Sequence, residues 1–170
     1  MILEAIIKRF SCREFLDKPI ERKKIEDIIE AGVLSPSAKN LQNWKFVAIT
    51  SKNLRQQLTK VCKGQKFVSQ APLTIAICCT NLDYKMTCKI PAFIADGYIA
   101  AQNMIIQATS VGVGSCYIGA FFQNQAKELL NIPDDWMVVA LIPFGYPKSK
   151  KIKRFVKPRK EVVLFNSFHG

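Results

Sequence analysis

The sequence predicts a sandwich of α and β elements in which helices cover a sheet. Three observations carry this. Stretches with helical spacing alternate with short apolar runs of strand length along all 170 residues. No internal repeat or low-complexity linker breaks the alternation, so residues 1–170 are expected to form one domain. Hydrophobic residues make up 49% and charged residues 22% of the chain, the balance of a folded globule.

Ile2–Lys8 is compatible with a short helix. After Pro19, the residues Ile25, Ile28, Ile29 and Val33 recur at helical spacing, which predicts an amphipathic helix ending near Gly32. Ser35-Pro36-Ser37 forces a loop. Trp44–Thr50 is aromatic and β-branched, hence a strand, and Ser51 is suited to cap a helix running to about Cys62. Leu73–Thr80 reads as a second, buried strand. Phe93–Val111 is the longest helical pattern and apolar on more than one side, which places it centrally. Gly112 and Gly114 end it, and a short strand, Ser115–Ile118, follows. A helix around Gln125–Leu130 stops before Pro133; Trp136–Phe144 is a third long strand, and Val162–Phe165 a further one.

Composition removes several functions. The longest apolar runs, Ala71–Cys79 and Met137–Phe144, fall short of the roughly 18–20 residues that span a bilayer. The start Met1-Ile2-Leu3-Glu4 is unlike a signal peptide, so a cytoplasmic protein without a membrane partner is expected. The six cysteines show no CxxC spacing and read as buried, reduced thiols. The sole histidine, His169, lies one residue from the C-terminus, which leaves no basis for a His-dependent nucleophile or a His-rich metal site. The net charge of +12 concentrates in Lys148–Lys160. That cluster suits nucleic acid or a phosphorylated ligand, but it lacks interleaved aromatics beyond Phe155 and any nucleic-acid motif, so no nucleic-acid partner is expected.

Four constellations carry chemistry. Arg9-x-Ser11-x-Arg13, if extended, points two guanidiniums and a hydroxyl the same way; this is a phosphate clamp, or simply solvated arginines after a helix. The stretch Pro36-Ser37-Ala38-Lys39-Asn40-Leu41-Gln42 offers amide and hydroxyl hydrogen bonds of both senses, as a flat heterocycle needs and as a capped turn also needs. Gly112-Val113-Gly114-Ser115-Cys116-Tyr117-Ile118-Gly119 follows a helix and opens a strand, the reverse of a dinucleotide fingerprint. Its backbone either approaches something flat or forms a turn and edge strand. Lys157-Pro158-Arg159 is a second phosphate clamp or surface charge.

Taken in order, these stretches resemble the nitroreductase family. Arg9-Phe10-Ser11-Cys12-Arg13-Glu14-Phe15 resembles its Arg-Arg-Ser-x-Arg-x-Phe start, with Phe10 in place of an arginine. Pro36–Trp44 resembles Pro-Ser-x-x-Asn-x-Gln-Pro-Trp, with Asn43 in place of the proline. Ala100-Ala101-Gln102-Asn103-Met104, Gly145-Tyr146-Pro147 and Lys157-Pro158-Arg159 complete the resemblance. It implies a three-layer α+β sandwich with a mainly antiparallel sheet and an interleaved homodimer that binds FMN at its interface. By position, Arg9, Ser11, Arg13, Lys157 and Arg159 would hold the FMN phosphate. Ser37, Asn40 and Gln42 would reach ribityl and ring groups, with Pro36 shaping the loop. Gln65 would add an amide, and the N–H groups of Ile118 and Gly119 would face the flavin N5 region. No residue is assigned a catalytic role, because the flavin carries the chemistry. The reaction implied is ping-pong, from NAD(P)H to a nitroaromatic, quinone or similar small acceptor. A flavin-storage, biosynthetic or dehalogenating role is the alternative on the same fold.

Overall fold

A computed structural model describes residues 1–149 and 155–168. Lys150 to Arg154 of the basic run, and His169, lie outside the described residues. The elements in chain order are α1 (Glu4–Lys8), α2 (Arg22–Val33), a 3-10 turn (Ala38–Asn40), β1 (Trp44–Ile49), α3 (Lys52–Val61), α4 (Phe67–Gln70), β2 (Leu73–Cys79), α5 (Ala92–Ser110), β3 (Gly114–Ser115), α6 (Gln123–Leu129), β4 (Met137–Gly145) and α7 (Arg159–Val162).

The four strands form one antiparallel sheet in the order β1-β2-β4-β3. All seven residues of β2 are buried, so both its faces must be covered. Leu73, Ile75, Ile77 and Cys79 face one layer, with Ile28 of α2 and Met104, Ile105 and Ala108 of α5. Ala76 and Cys78 face the other, with Leu58 of α3, Val68 of α4 and Ala126 of α6. This is the expected α+β sandwich with its mainly antiparallel sheet. A register shift between Ile77 and Cys78 adds Val139 to β4, and so Val139 and Ala140, though consecutive, both pack on the α2–α5 side.

Local chemistry explains the boundaries. The Ser51 hydroxyl accepts the Leu54 N–H at 3.4 Å, capping α3. α5 ends because Gly112 adopts φ +78, which lets Val113 N–H reach back to the Ala108 carbonyl at 2.8 Å. Gly97 has no side chain where a Cβ would lie 2.9 Å from Cys79 Sγ and 3.2 Å from Val139, so α5 closes directly onto β2 and β4.

Two expected strands are corrected. Val162–Phe165 is not a strand: Arg159–Val162 is a helical turn started by Pro158, and Val162, Leu164 and Phe165 are exposed. Its apolar, β-branched composition satisfies only half of what a strand needs, the other half being an edge to pair with. Ser115–Ile118 is shorter than expected. Pairing with β4 covers Gly114–Ser115 and resumes only at an isolated bridge from Ile118 to Leu141. Among the described residues, no helix is long and apolar enough to cross a membrane.

The burial pattern makes two predictions. A Cβ on Gly145 would lie 2.8 Å from both Phe15 and Pro72, ring atoms that cannot swing away. Gly145→Ala should therefore destabilise the fold by about 1–3 kcal/mol in denaturant titration. Burial also pushes the thiols of Cys62 and Cys79 up to about 12 and that of Cys78 to about 11, from an ordinary 9.0. These thiols stay neutral in the fold while unfolded ones ionise. Their contribution is complete below pH 9 and lost as pH rises towards 11–12. The denaturation midpoint should fall through that window, and fall less steeply in Cys62→Ala.

Candidate functional site

The segment after α1 is extended and stitched to the sheet edge. Ser11 bridges Ser115 in parallel fashion, Cys12 N–H donates to the Ser115 carbonyl at 2.9 Å, and Leu16 N–H donates to the Tyr146 carbonyl at 2.8 Å. Alternation then turns Cys12 into the core and leaves Ser11 and Arg13 exposed on the other side. Arg9, Ser11 and Arg13 all act on one thiol, that of Cys116. Burial raises its pKa, while Arg13, a hydrogen bond with Ser11, and Arg9 draw it back down, in that order. The sequence spacing thus yields one cationic, hydroxyl-bearing face. Among the described residues, no carboxylate lies within ion-pairing distance of Arg13. This donor set suits a phosphate dianion, which takes bidentate guanidinium bonds and a neutral hydroxyl together.

The chain continues from Cys116 into Ile118 and Gly119. Ile118 N–H donates to the Leu141 carbonyl at 2.9 Å, so the expectation that it faces a ligand is corrected. In an extended chain successive amides point to opposite sides, and the one aimed at β4 cannot also point outward. Gly119 is exposed. Gln65, half-buried, donates from Nε2 to the carbonyls of Cys62 at 3.0 Å and Ala120 at 3.3 Å. It thereby fastens the turn between α3 and α4 to the segment holding Gly119.

Residues 34–43 form a loop between α2 and β1. Lys39, Asn40 and Gln42 have φ of +53, +53 and +51. Each such non-glycine residue costs on the order of 1–3 kcal/mol, less for asparagine, and persists only when its surroundings impose it. Within the loop, the Ser37 hydroxyl accepts Gln42 N–H at 2.9 Å, and Gln42 Nε2 donates to Asn40 Oδ1 at 3.0 Å. From outside, two side chains of α5 hold it. Asp96 Oδ1 accepts Ala38 N–H at 3.0 Å, and Asn103 Nδ2 donates to Ser35 Oγ at 2.8 Å. Pro36, Asn40 and Gln42 are exposed and Ser37 half-buried. Asp96 and Asn103 were not among the expected site residues. Their signal is that Asp96 is the lone charged residue in Ala92–Ser110.

α5 stands between the two sets. The loop hangs on its Asp96–Asn103 flank, whereas Tyr117, next to Cys116, hydrogen-bonds from its hydroxyl to the Tyr98 carbonyl at 3.2 Å and packs on the Tyr98 ring. Asp96 and Tyr98 are about 200° apart around the helix at 100° per residue. Tyr117 thus meets α5 on a flank away from the one that holds the loop of Ser37, Asn40 and Gln42. Ile94, Tyr98 and Ile99 of α5 are each 40–42% exposed. Lys157 and Arg159 are exposed on the tail, along with Phe155, Val156, Leu164, Phe165 and Phe168. A cavity of 370 Å³ beside Lys8, Phe10 and Gly112, and another of 650 Å³ lined by Lys18, Lys52, Arg55 and Lys148, contain neither set. No group of three metal-ligating side chains occurs among the described residues.

The family model described as "Nitroreductase family" matches residues 6–74 and 60–146. The chain belongs to the nitroreductase family. A nitroreductase family protein from Clostridium novyi NT superposes with a TM-score of 0.80 at 32% identity, covering 88% of this chain and 87% of the other. An FMN-dependent nitroreductase from Clostridium difficile R20291 superposes with a TM-score of 0.84 at 28% identity, over 96% and 98% of the two chains. An NADPH-flavin oxidoreductase from Vibrio harveyi is 29% identical over 171 residues, 92% of this nitroreductase-family chain and 69% of its own length.

Proposed function

We propose that this nitroreductase-family chain is an FMN-dependent oxidoreductase that takes hydride from NAD(P)H and passes it to a nitroaromatic, quinone or similar small acceptor in ping-pong order. The extended segment that runs along the sheet edge with Ser11 and Arg13 exposed carries the reading, because with Arg9 it supplies a phosphate site in a chain with one histidine. The relatives named as an FMN-dependent nitroreductase and an NADPH-flavin oxidoreductase support the same cofactor class and donor.

Arg9, Ser11 and Arg13 hold the FMN phosphate, with Lys157 and Arg159 of the tail adding charge. Ser37, Asn40 and Gln42, in the loop that Pro36 opens, meet the ribityl and ring groups, and the Gly119 amide approaches the ring from the strand side. Gln65 acts by fixing the Gly119 segment. When bound, FMN supplies the hydride-accepting and hydride-donating ring. The chain would bind it and orient it towards NAD(P)H and the acceptor in turn.

The exposed apolar side chains of α5 support a homodimer. A second copy docked on the Ile94–Tyr98–Ile99 stripe by two-fold symmetry carries its own loop across to the first copy's arginines, and the reverse. Each site then draws on both chains, and the exposed apolar side chains of α5 and the tail are covered.

Two measurements test this. Arg9→Ala with Arg13→Ala should weaken FMN binding about tenfold to hundredfold in fluorescence titration, whereas Lys52→Ala with Lys60→Ala should not. Equal losses from both pairs would count against the phosphate assignment. Ile99→Asp should lower the dimer fraction in gel filtration and flavin content together; a wild-type monomer that keeps its flavin contradicts the shared site.

A further inference from the structure

The role of Asp96 is not explained by the helix it sits in. It is 5% exposed, in the second turn of α5, and a carboxylate at that depth is costly unless it is hydrogen-bonded. Its partner is not in the core but in the loop: the backbone N–H of Ala38, 58 positions away. Ala38 is the hinge of that loop. Ser37 before it is extended at φ −139, ψ 159, and Lys39 after it is left-handed at φ +53, ψ 22. Fixing the Ala38 N–H fixes the peptide plane from which the chain turns into Lys39, Asn40 and Gln42. Asn103, seven residues and two helical turns along the same flank, ties Ser35 in parallel at 2.8 Å.

We propose that Asp96 is a positioning residue for the flavin: by holding Ala38 N–H, it keeps the strained turn that presents Asn40 and Gln42 in its ligand-ready form. The claim rests on the FMN reading above. Asp96 touches neither cofactor nor substrate. It acts by having the loop's ordering already done before the ligand arrives, so its effect falls on cofactor affinity rather than on the reaction itself.

The test uses the full chain and FMN itself. Asp96→Ala should weaken FMN binding about tenfold, while Asp96→Asn, which keeps an acceptor oxygen for Ala38 N–H, should stay within about threefold of wild type. Ala38→Pro removes the same bond from the loop side. Its backbone suits proline, since the preceding residue is extended and the position opens a helical turn. It too should weaken binding about tenfold, and the Asp96→Ala/Ala38→Pro pair should be no worse than the weaker-binding single variant. Losses that multiply in the pair, or wild-type affinity in either single variant, would overturn the proposal. Should Asp96→Ala fail to fold, Ala38→Pro and Asp96→Asn decide alone, the first weakening FMN binding in protein that is still folded and the second not. Amide hydrogen exchange at Gln42 in the apo-protein reads the loop without the flavin, and should quicken in Asp96→Ala and Ala38→Pro but not in Asp96→Asn. Unchanged exchange overturns the proposal. Failure of wild type to bind FMN sinks instead the flavin reading on which it rests.

Discussion

The close seating of α5 on the sheet is the constraint from which the rest of the molecule follows. At Gly97 the helix lies so near Cys79 and Val139 that even a methyl group has no room. That contact fixes the rotation of α5 about its axis. The buried face takes Phe93, Ala100, Ala101, Met104, Ile105 and Ala108, and what remains is two flanks and one outward stripe. One flank receives the loop through Asp96 and Asn103; the other receives Tyr98's partner, Tyr117. A side chain at position 97 would lift the helix and loosen both at once. The apolar core and the polar loop are thus coupled through one helix rather than built separately.

Charge is distributed with a similar economy. Three of the salt bridges join i,i+4 neighbours on α1 and α2, with side chains largely exposed, and pairs of that kind contribute little to stability. The positive charge that matters chemically lies beside Cys116. There burial holds the thiol neutral while the arginines pull it towards ionisation. Cys12, next to it, is likewise raised by burial. Neutral, buried thiols are poor nucleophiles, so what this face offers a ligand is hydrogen-bond donors and charge. A chain with those resources binds and orients; bond chemistry has to come from what is bound.

The long elements were legible in the sequence because burial on both sides leaves an unmistakable pattern. Leu73–Cys79 is apolar without interruption apart from Thr74, and Phe93–Val111 repeats at helical spacing for five turns. Arg9, Ser11 and Arg13 were legible as a group because alternation along an extended chain needs only local geometry. The missed features are either very short or depend on partners far away. α4 is four residues long, too short for a period to show. The direction of the Ile118 amide is set by Leu141, and the tail residues 162–165 look strand-like until no edge is found for them. The loop tethers span 58 and 68 positions, and nothing beside Ser35 or Ala38 announces them. A lone carboxylate in a buried helix is the one trace such a tether leaves.

The strained loop and the exposed stripe on α5 belong to one physical problem. Left-handed residues at Lys39, Asn40 and Gln42 store free energy in the unliganded chain, and a fold retains such strain only if the surroundings over-determine it. Asp96 and Asn103 do this from the inner side, with Ser37 closing the turn internally. Asn40 and Gln42, bonded to each other, are exposed. A loop ordered at this expense offers its amides to a ligand at no further ordering cost, and in the proposed two-fold dimer that ligand would be carried by the neighbour. The same docking would bury Ile94, Tyr98 and Ile99, so that assembly and completion of the site would be a single event.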